Sequence, residues 1–256
     1  METLNTRQRE IVGIARVEGR VLVEELASRF DVSLQTIRKD LTEICARAIL
    51  KRIHGGAVFA AGVENLRYDA RRLIAQNEKR GIGMAAAELI PDNCSLFINI
   101  GTTTEEVAHC LLRKKDLLVI TNNINVANIL RPSPATDVII AGGMVRRSDG
   151  GVVGETAVDF IKQFKVDFAI IGTSAVDEDG SLLDFDLREA KVAQAIIANA
   201  HHVILCADQT KLKRTAPVRV AHFGQINTFV TDRLESESLR KVCTDHGVRL
   251  IESDLS

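Results

Sequence analysis

No stretch of this chain approaches the ~20 consecutive apolar residues of a membrane-spanning helix, and the opening METLNTRQREI has no apolar signal core. The expectation is a cytoplasmic protein with no membrane partner. The five cysteines (Cys45, Cys94, Cys110, Cys206, Cys243) include no CxxC pair. Their odd number and wide spacing argue against a disulfide framework or a zinc site and suit small apolar fillers. Six scattered histidines, no metal-ligand cluster and no dinucleotide-type glycine pattern leave no cofactor or metal to expect. Internal repeats and low-complexity tracts are also missing. A net charge of −1 rules out a polycation, so any basic character must be local. The 256 residues allow one large domain, or a small one plus a medium one.

Residues 1–57 read as a helical head. Asn5 precedes TRQREIVGIARVEG with Gln8 three positions on, the spacing of a capping box; Ile11, Ile14 and Ala15 recur at helical spacing, and Gly19 suits the exit. VEELASRF gives a short second helix with Leu26 and Phe30 inward. DVS turns the chain, and Ser33 caps a third helix, LQTIRKDLTEICA, on which Ile37, Leu41, Ile44 and Cys45 form one apolar stripe. ILKRIHGGAV then offers two short extended pieces. Three helices and a small ribbon make the winged helix-turn-helix plan.

Opposite that stripe stand Gln35, Arg38 and Lys39, with Thr36 near the helix start. Gln reads adenine edges and Arg guanine edges in the major groove, while Ser33, Thr36 and Lys39 suit phosphates. The ribbon adds Lys51, Arg52 and His54 beside Gly55 and Gly56. Ten lysines and arginines against eight acids make the segment only mildly basic. An interaction module with merely solvated arginines is therefore the alternative; basic residues on both the third helix and the ribbon disfavour it.

Residues 58–75, with Gly62 and three arginines, look like a partly helical linker and a natural hinge. From residue 76 to 256 apolar strands alternate with helices: NEKRGIGMAAAELI, SLFINI, TEEVAHCLL, LLVITN, NVANIL, DVIIAGG, then DFAIIG through VRLIES. That pattern predicts an α/β domain with a doubly wound, mostly parallel sheet. Its strand ends share one chemistry: Gly101 with Thr102, Thr103 and Thr104; Thr121 with Asn122 and Asn123; Gly142 with Gly143; Gly172 to Ser174; Asp208. In an open α/β sheet such ends line one edge, where ligands bind. Gly101 and the three threonines open a helix, a place for an anion; Glu105 and Glu106 can instead serve the same helix dipole themselves. Asp177, Asp179 and Asp184 raise the question of proton transfer, although VDEDGS equally makes a polar turn with Asp179-Gly180 at its tip.

SLQTIRKDL (33–41) followed by ILKRIHGGA (49–57) resembles the helix-turn-helix and wing signature of the DeoR family of bacterial transcriptional regulators. The resemblance continues through LFINIGTTTEEVAH, TNNINVAN, DGGVVGE and GTSAVDEDGSLLDFD. It implies a winged-helix reader joined to an effector domain similar to the ribose-5-phosphate isomerase fold. It also implies a repressor of a carbohydrate or polyol catabolic operon, binding paired operator sites as a homodimer or homotetramer. A phosphorylated metabolite, glycerol-3-phosphate or a sugar phosphate, would release the DNA. Lys211 matches the lysine of the family's Asp-x-Ser-Lys stretch and becomes a phosphate ligand by that resemblance, with Thr210 in place of the Ser. Asn99 stands where the family usually has Asp, which keeps hydrogen bonding and removes a charge. Leu22-Val23 lacks the family's hydroxyl cap before the second helix, at a cost of about 1 kcal/mol. A sugar-phosphate isomerase with an accessory helical domain is the alternative; it has no use for Ser33, Gln35, Arg38 and Lys39 so placed.

Overall fold

The computed structural model describes residues 4–18, 20–47, 49–53, 55–59 and 68–253. The chain divides into two compact units, Met1–Ile74 and Ala75–Ser256.

The first unit runs α1 (Thr6–Glu18), β1 (Arg20–Leu22), α2 (Val23–Phe30), α3 (Leu34–Ala46), β2 (Leu50–Ile53), β3 (Gly56–Phe59) and α4 (Tyr68–Leu73). The capping box forms at the head of α1. Asn5 Oδ1 accepts the Gln8 N–H at 2.9 Å, and the Asn5 N–H donates to Gln8 Oε1 at 3.1 Å. Asp31 turns left-handed (φ 50°) to end α2, and the Ser33 hydroxyl accepts the Thr36 N–H at the start of α3. Ile37, Leu41 and Ile44 are fully buried and pack with Ile11, Ala15 and Leu26; Cys45 is half-buried at the edge of this core. The ribbon has a third strand that the sequence reading lacks. β1 pairs antiparallel with β3, giving the order β1-β3-β2. At three residues, β1 is too short for an alternation to register.

The second unit begins α5 (Gln76–Glu88), β4 (Cys94–Ile98), α6 (Thr102–Leu111), β5 (Leu117–Thr121), α7 (Ile124–Leu130) and β6 (Thr136–Ile140). A small ribbon follows, β7 (Met144–Val145) with β8 (Val152–Val153), then α8 (Glu155–Ile161) and β9 (Val166–Ile171). Next come the hairpin β10 (Ala175–Val176) and β11 (Ser181–Asp184), α9 (Leu187–Ala198) and β12 (Ala200–Cys206). A short 3-10 turn, Gln209–Lys213, leads to β13 (Val218–His222), β14 (Thr228–Thr231), α10 (Glu237–Asp245) and β15 (Arg249–Glu252).

Seven strands form one sheet in the order β15-β14-β12-β9-β4-β5-β6, and every pairing in it is parallel. The apolar runs are buried on both faces. Phe97, Ile120 and Ala169 point into a core shared with residues of α8, α9 and α10. Their neighbours Leu96, Ile98, Val119 and Ile170 point into another, shared with α5, α6 and α7. The sheet is therefore doubly wound. Starting at β4 the chain builds outward through β5 and β6, then returns to build the other way through β9, β12, β14 and β15. The order reverses between β4 and β9, and the crevice at their C-terminal ends is where such folds bind ligands. The antiparallel strands missing from the sequence reading, β7, β8, β10, β11 and β13, are two to five residues long and lie outside the parallel sheet.

Candidate functional site

On α3 the face opposite the core carries Ser33, Gln35, Arg38 and Lys39, all exposed, and half-buried Thr36. Ser33 does two things, since its hydroxyl both caps the helix and lies 2.9 Å from the Thr36 hydroxyl. In the wing, Arg52 is exposed on β2, and its guanidinium lies beside the Cys45 thiol, whose pKa burial raises and Arg52 draws back. Lys51 is on β2 opposite Val58, with its side chain outside the described residues; His54 lies outside them altogether. The turn between β2 and β3 depends on glycine twice. Gly55 takes φ 76°, and a Cβ on Gly56 would sit 2.0 Å from the Val21 carbonyl oxygen.

In the second unit the β4–β9 crevice is framed by backbone. Gly101 adopts φ 154°, open to glycine, and starts α6. The first helical bond runs from the Glu105 N–H to the Gly101 carbonyl at 3.0 Å, so the N–H groups of Thr102, Thr103 and Thr104 precede the ladder at the positive end of the helix. The Thr104 hydroxyl is committed within the loop, to the carbonyls of Asn99 (2.7 Å) and Gly101 (2.8 Å). Asn99 is buried, and its Oδ1 accepts the Ile100 N–H at 2.7 Å. Gly172, at the end of β9, has the Ile100 carbonyl and the Thr104 methyl within van der Waals reach of a Cβ position, so the β4 and β9 loops are in contact.

On one side, at the end of β5, a strap made of residues 149–153 closes over Asn122 and Asn123. Val152 exchanges bonds with Asn122, donating its N–H to the Asn122 carbonyl (2.7 Å) and accepting Asn122 Nδ2 (3.1 Å). Asn122 Oδ1 is buried with no hydrogen-bond partner among the described residues. Asn123 caps α7 and donates Nδ2 to Glu105. Gly143 gives β8 room, since a Cβ there would lie 3.1 Å from Val152 and the Val153 carbonyl; Gly142 is exposed with open space around it. Arg146 anchors the ribbon: two bonds to Asp149 (2.8 and 2.7 Å), one ion pair to Glu189 at 2.6 Å and one to Asp186 at 3.4 Å. Arg147 is exposed.

On the other side Asp208, at the end of β12, is completely buried. Its Oδ1 accepts the Thr210 N–H at 3.0 Å and the Thr210 hydroxyl, and its Oδ2 has no hydrogen-bond partner among the described residues. Burial alone would raise its pKa, but Lys211 and Lys79 overcome that and hold it below the usual carboxylate value. The two lysines are themselves 8% and 2% exposed. Lys79, absent from the sequence reading, comes from the first turn of α5. It lies on one helical stripe with Ile82, Gly83 and Ala86, all buried, and a cation in register with an apolar stripe was the signal to find it.

The β10–β11 hairpin sorts the three aspartates. Its closed end carries Asp177 and Asp179, exposed, with carboxylates that accept the N–H groups of Glu178 and Ser181 in the turn. That turn packs beside Val242 of α10 and His222. The open end returns Asp184 to Ser174, just beyond β9, where it accepts the Ser174 hydroxyl (3.2 Å) and the Phe185 N–H (2.6 Å). Burial raises the Asp184 pKa.

A three-helix head with a wing, followed by a doubly wound sheet with a polar crevice, is the two-part plan of a DNA-binding regulator. The chain belongs to the DeoR family: residues 7–62 match the DeoR-like helix-turn-helix domain, and residues 74–233 match the DeoR C terminal sensor domain. It is 42% identical over 244 residues to the glycerol-3-phosphate regulon repressor of Escherichia coli (strain K12), covering 95% of this chain and 97% of that one. It is likewise 42% identical over 225 residues to the protein of that name from Haemophilus influenzae, covering 88% of each. The HTH-type transcriptional repressor CsqR of E. coli is 34% identical over 249 residues, covering 97% of this chain and 95% of its own. Among solved structures, ribose 5 phosphate isomerase A from Neisseria gonorrhoeae superposes with a TM-score of 0.38 at 17% identity over 52% of either chain.

Proposed function

We propose that this protein represses transcription by binding operator DNA through the α3 face and the β2–β3 wing, and that its second unit senses a phosphorylated polyol or sugar. The observation that carries the sensing half is the pairing of two chemistries on one rim. The N-terminus of α6 and the buried Lys79 and Lys211 suit a phosphate. The buried Asp208 Oδ2, with no hydrogen-bond partner among the described residues, suits a hydroxyl that donates to it. Two relatives named for the glycerol-3-phosphate regulon make glycerol-3-phosphate the first ligand to test.

The protein works in the cytoplasm as a homodimer or homotetramer, its heads spaced to fit paired half-sites. Ligand shifts the population toward an arrangement with weak operator affinity, and this requires unequal binding to the two arrangements. A ~100-fold preference corresponds to about 2.7 kcal/mol. Thermal-shift screening of phosphorylated polyols and sugars, followed by titration of operator DNA, tests the reading. Glycerol-3-phosphate should raise the melting temperature and release the duplex, and glycerol should do neither. Operator binding indifferent to every phosphorylated compound would refute sensing.

One observation favours a second reading, isomerisation: Asp184, a buried carboxyl with a raised pKa beside the β9 end. Incubation with ribose-5-phosphate separates the two, since a sensor gives no ribulose-5-phosphate.

A further inference from the structure

The N-terminal turn of α1 lies beside the DNA-reading face of α3, and the two enclose an open groove of about 690 Å³. Asn5 and Arg7 line one side; Ser33, Gln35, Arg38 and Lys39 are among the residues on the other. Two acids of α3, Asp40 and Glu43, also border it, and both are tied up from α1. Arg7 Nε donates to Asp40 Oδ2 at 2.6 Å, and Gln8 Nε2 donates to Asp40 Oδ1 at 3.2 Å and Glu43 Oε2 at 2.6 Å. The terminal nitrogens of Arg7 make no hydrogen bond among the described residues, and its side chain is 32% exposed.

We infer that Arg7 is a phosphate clamp: with α3 in the major groove, the α1–α3 groove receives the sugar-phosphate backbone at that groove's rim. A helix with its side chains is about 10–12 Å across, and the major groove is about 12 Å wide. What borders α3 on either side is therefore backbone, and the cation that α1 brings to the lining of this groove is Arg7. Its guanidinium is oriented on one edge by a buried carboxylate and open on the other, so little freedom is lost when it takes a phosphate. Such a contact carries no sequence information; it fixes the register in which Gln35 and Arg38 meet base edges.

This inference rests on the operator-binding reading, and salt dependence separates their fates. The full chain and its Arg7→Gln, Arg7→Ala and Arg7→Lys variants are titrated onto operator and random duplexes between low and moderate salt. The glutamine can still donate to Asp40 without carrying charge, which covers a failure of the alanine variant to fold. Loss of one phosphate contact per head lowers the slope of log K against log salt by about 0.9 per head. Arg7→Gln should show that drop on both duplexes, with the operator-to-random affinity ratio kept, and Arg7→Lys should restore the slope. An unchanged slope in Arg7→Gln, with or without a lowered melting temperature, makes Arg7 only a brace between α1 and α3 and overturns the inference. A wild-type chain that binds neither duplex overturns the operator reading itself.

Discussion

The Val23 N–H, at the first residue of α2, donates to the carbonyl of Gly55 in the wing turn at 2.9 Å. Leu22, in the cap position, offers no side-chain bond, and backbone from the ribbon satisfies one of the free N–H groups at the helix start, that of Val23. The same bond fastens the wing to the helix-turn-helix. Gly56 allows this approach by leaving the Val21 carbonyl its space.

Gly56→Ala should therefore detach the ribbon. A Cβ 2.0 Å from a backbone oxygen cannot be relieved by a rotamer change, so β1 and β3 must separate. We expect a loss of about 3 kcal/mol in the first unit and no operator binding, with the melting of the second unit and its ligand response retained. Two-transition calorimetry measures both.

Thr104→Val tests the loop that shapes the anion end of the crevice. The substitution keeps the volume and removes the donor that serves the Asn99 and Gly101 carbonyls. A cost of about 1–2 kcal/mol is expected, together with at least tenfold weaker glycerol-3-phosphate binding by calorimetry and unchanged operator affinity. Equal ligand affinity in the variant would separate the loop from the site.

Much of this architecture was legible because it repeats. The stripe of Ile37, Leu41 and Ile44 and the apolar runs of the parallel sheet gather signal over many residues, and the Asn5–Gln8 box has a fixed spacing. Strands of two or three residues gather none, which hid β1, β7, β8 and β10. At the rim, sequence identifies residue types and not their commitments. Thr102, Thr103 and Thr104 read alike, yet Thr104 has spent its hydroxyl on the loop. Asp177, Asp179 and Asp184 also read alike, and only the hairpin separates the turn pair from the one that returns to Ser174. The acids that Lys79 and Arg7 face, Asp208 and Asp40, are more than thirty residues away, so no local spacing links them in the sequence.

The Asp208 carboxylate gives a pH prediction with a definite sign. Its pKa in the folded chain is lowered, so its ionised form favours folding. That stability is present above the unfolded carboxylate value, about 4, and is lost as pH falls through the lower folded value. Lys79→Met removes one of the two charges that overcome burial. The carboxylate's pKa should then rise, with a loss of about 1–3 kcal/mol at neutral pH and a smaller difference between pH 7 and pH 4. Urea unfolding across that range measures it; a pH profile parallel to wild type would show that Lys79 does not govern Asp208.

Finally, the two halves should fail separately. Arg38 is exposed on the α3 face in the first unit, and Lys211 is buried beside Asp208 in the second. Arg38→Ala should cost about 1–3 kcal/mol of operator binding through loss of a base-edge contact, while its thermal shift with glycerol-3-phosphate stays at the wild-type value. Lys211→Ala should hold operator DNA as wild type does but keep it at ligand concentrations that release wild type. Fluorescence anisotropy on one labelled operator, with and without ligand, reads both variants. Loss of DNA and ligand binding together in Arg38→Ala would contradict a division of labour between the units, and a normal response in Lys211→Ala would remove that lysine from the phosphate site.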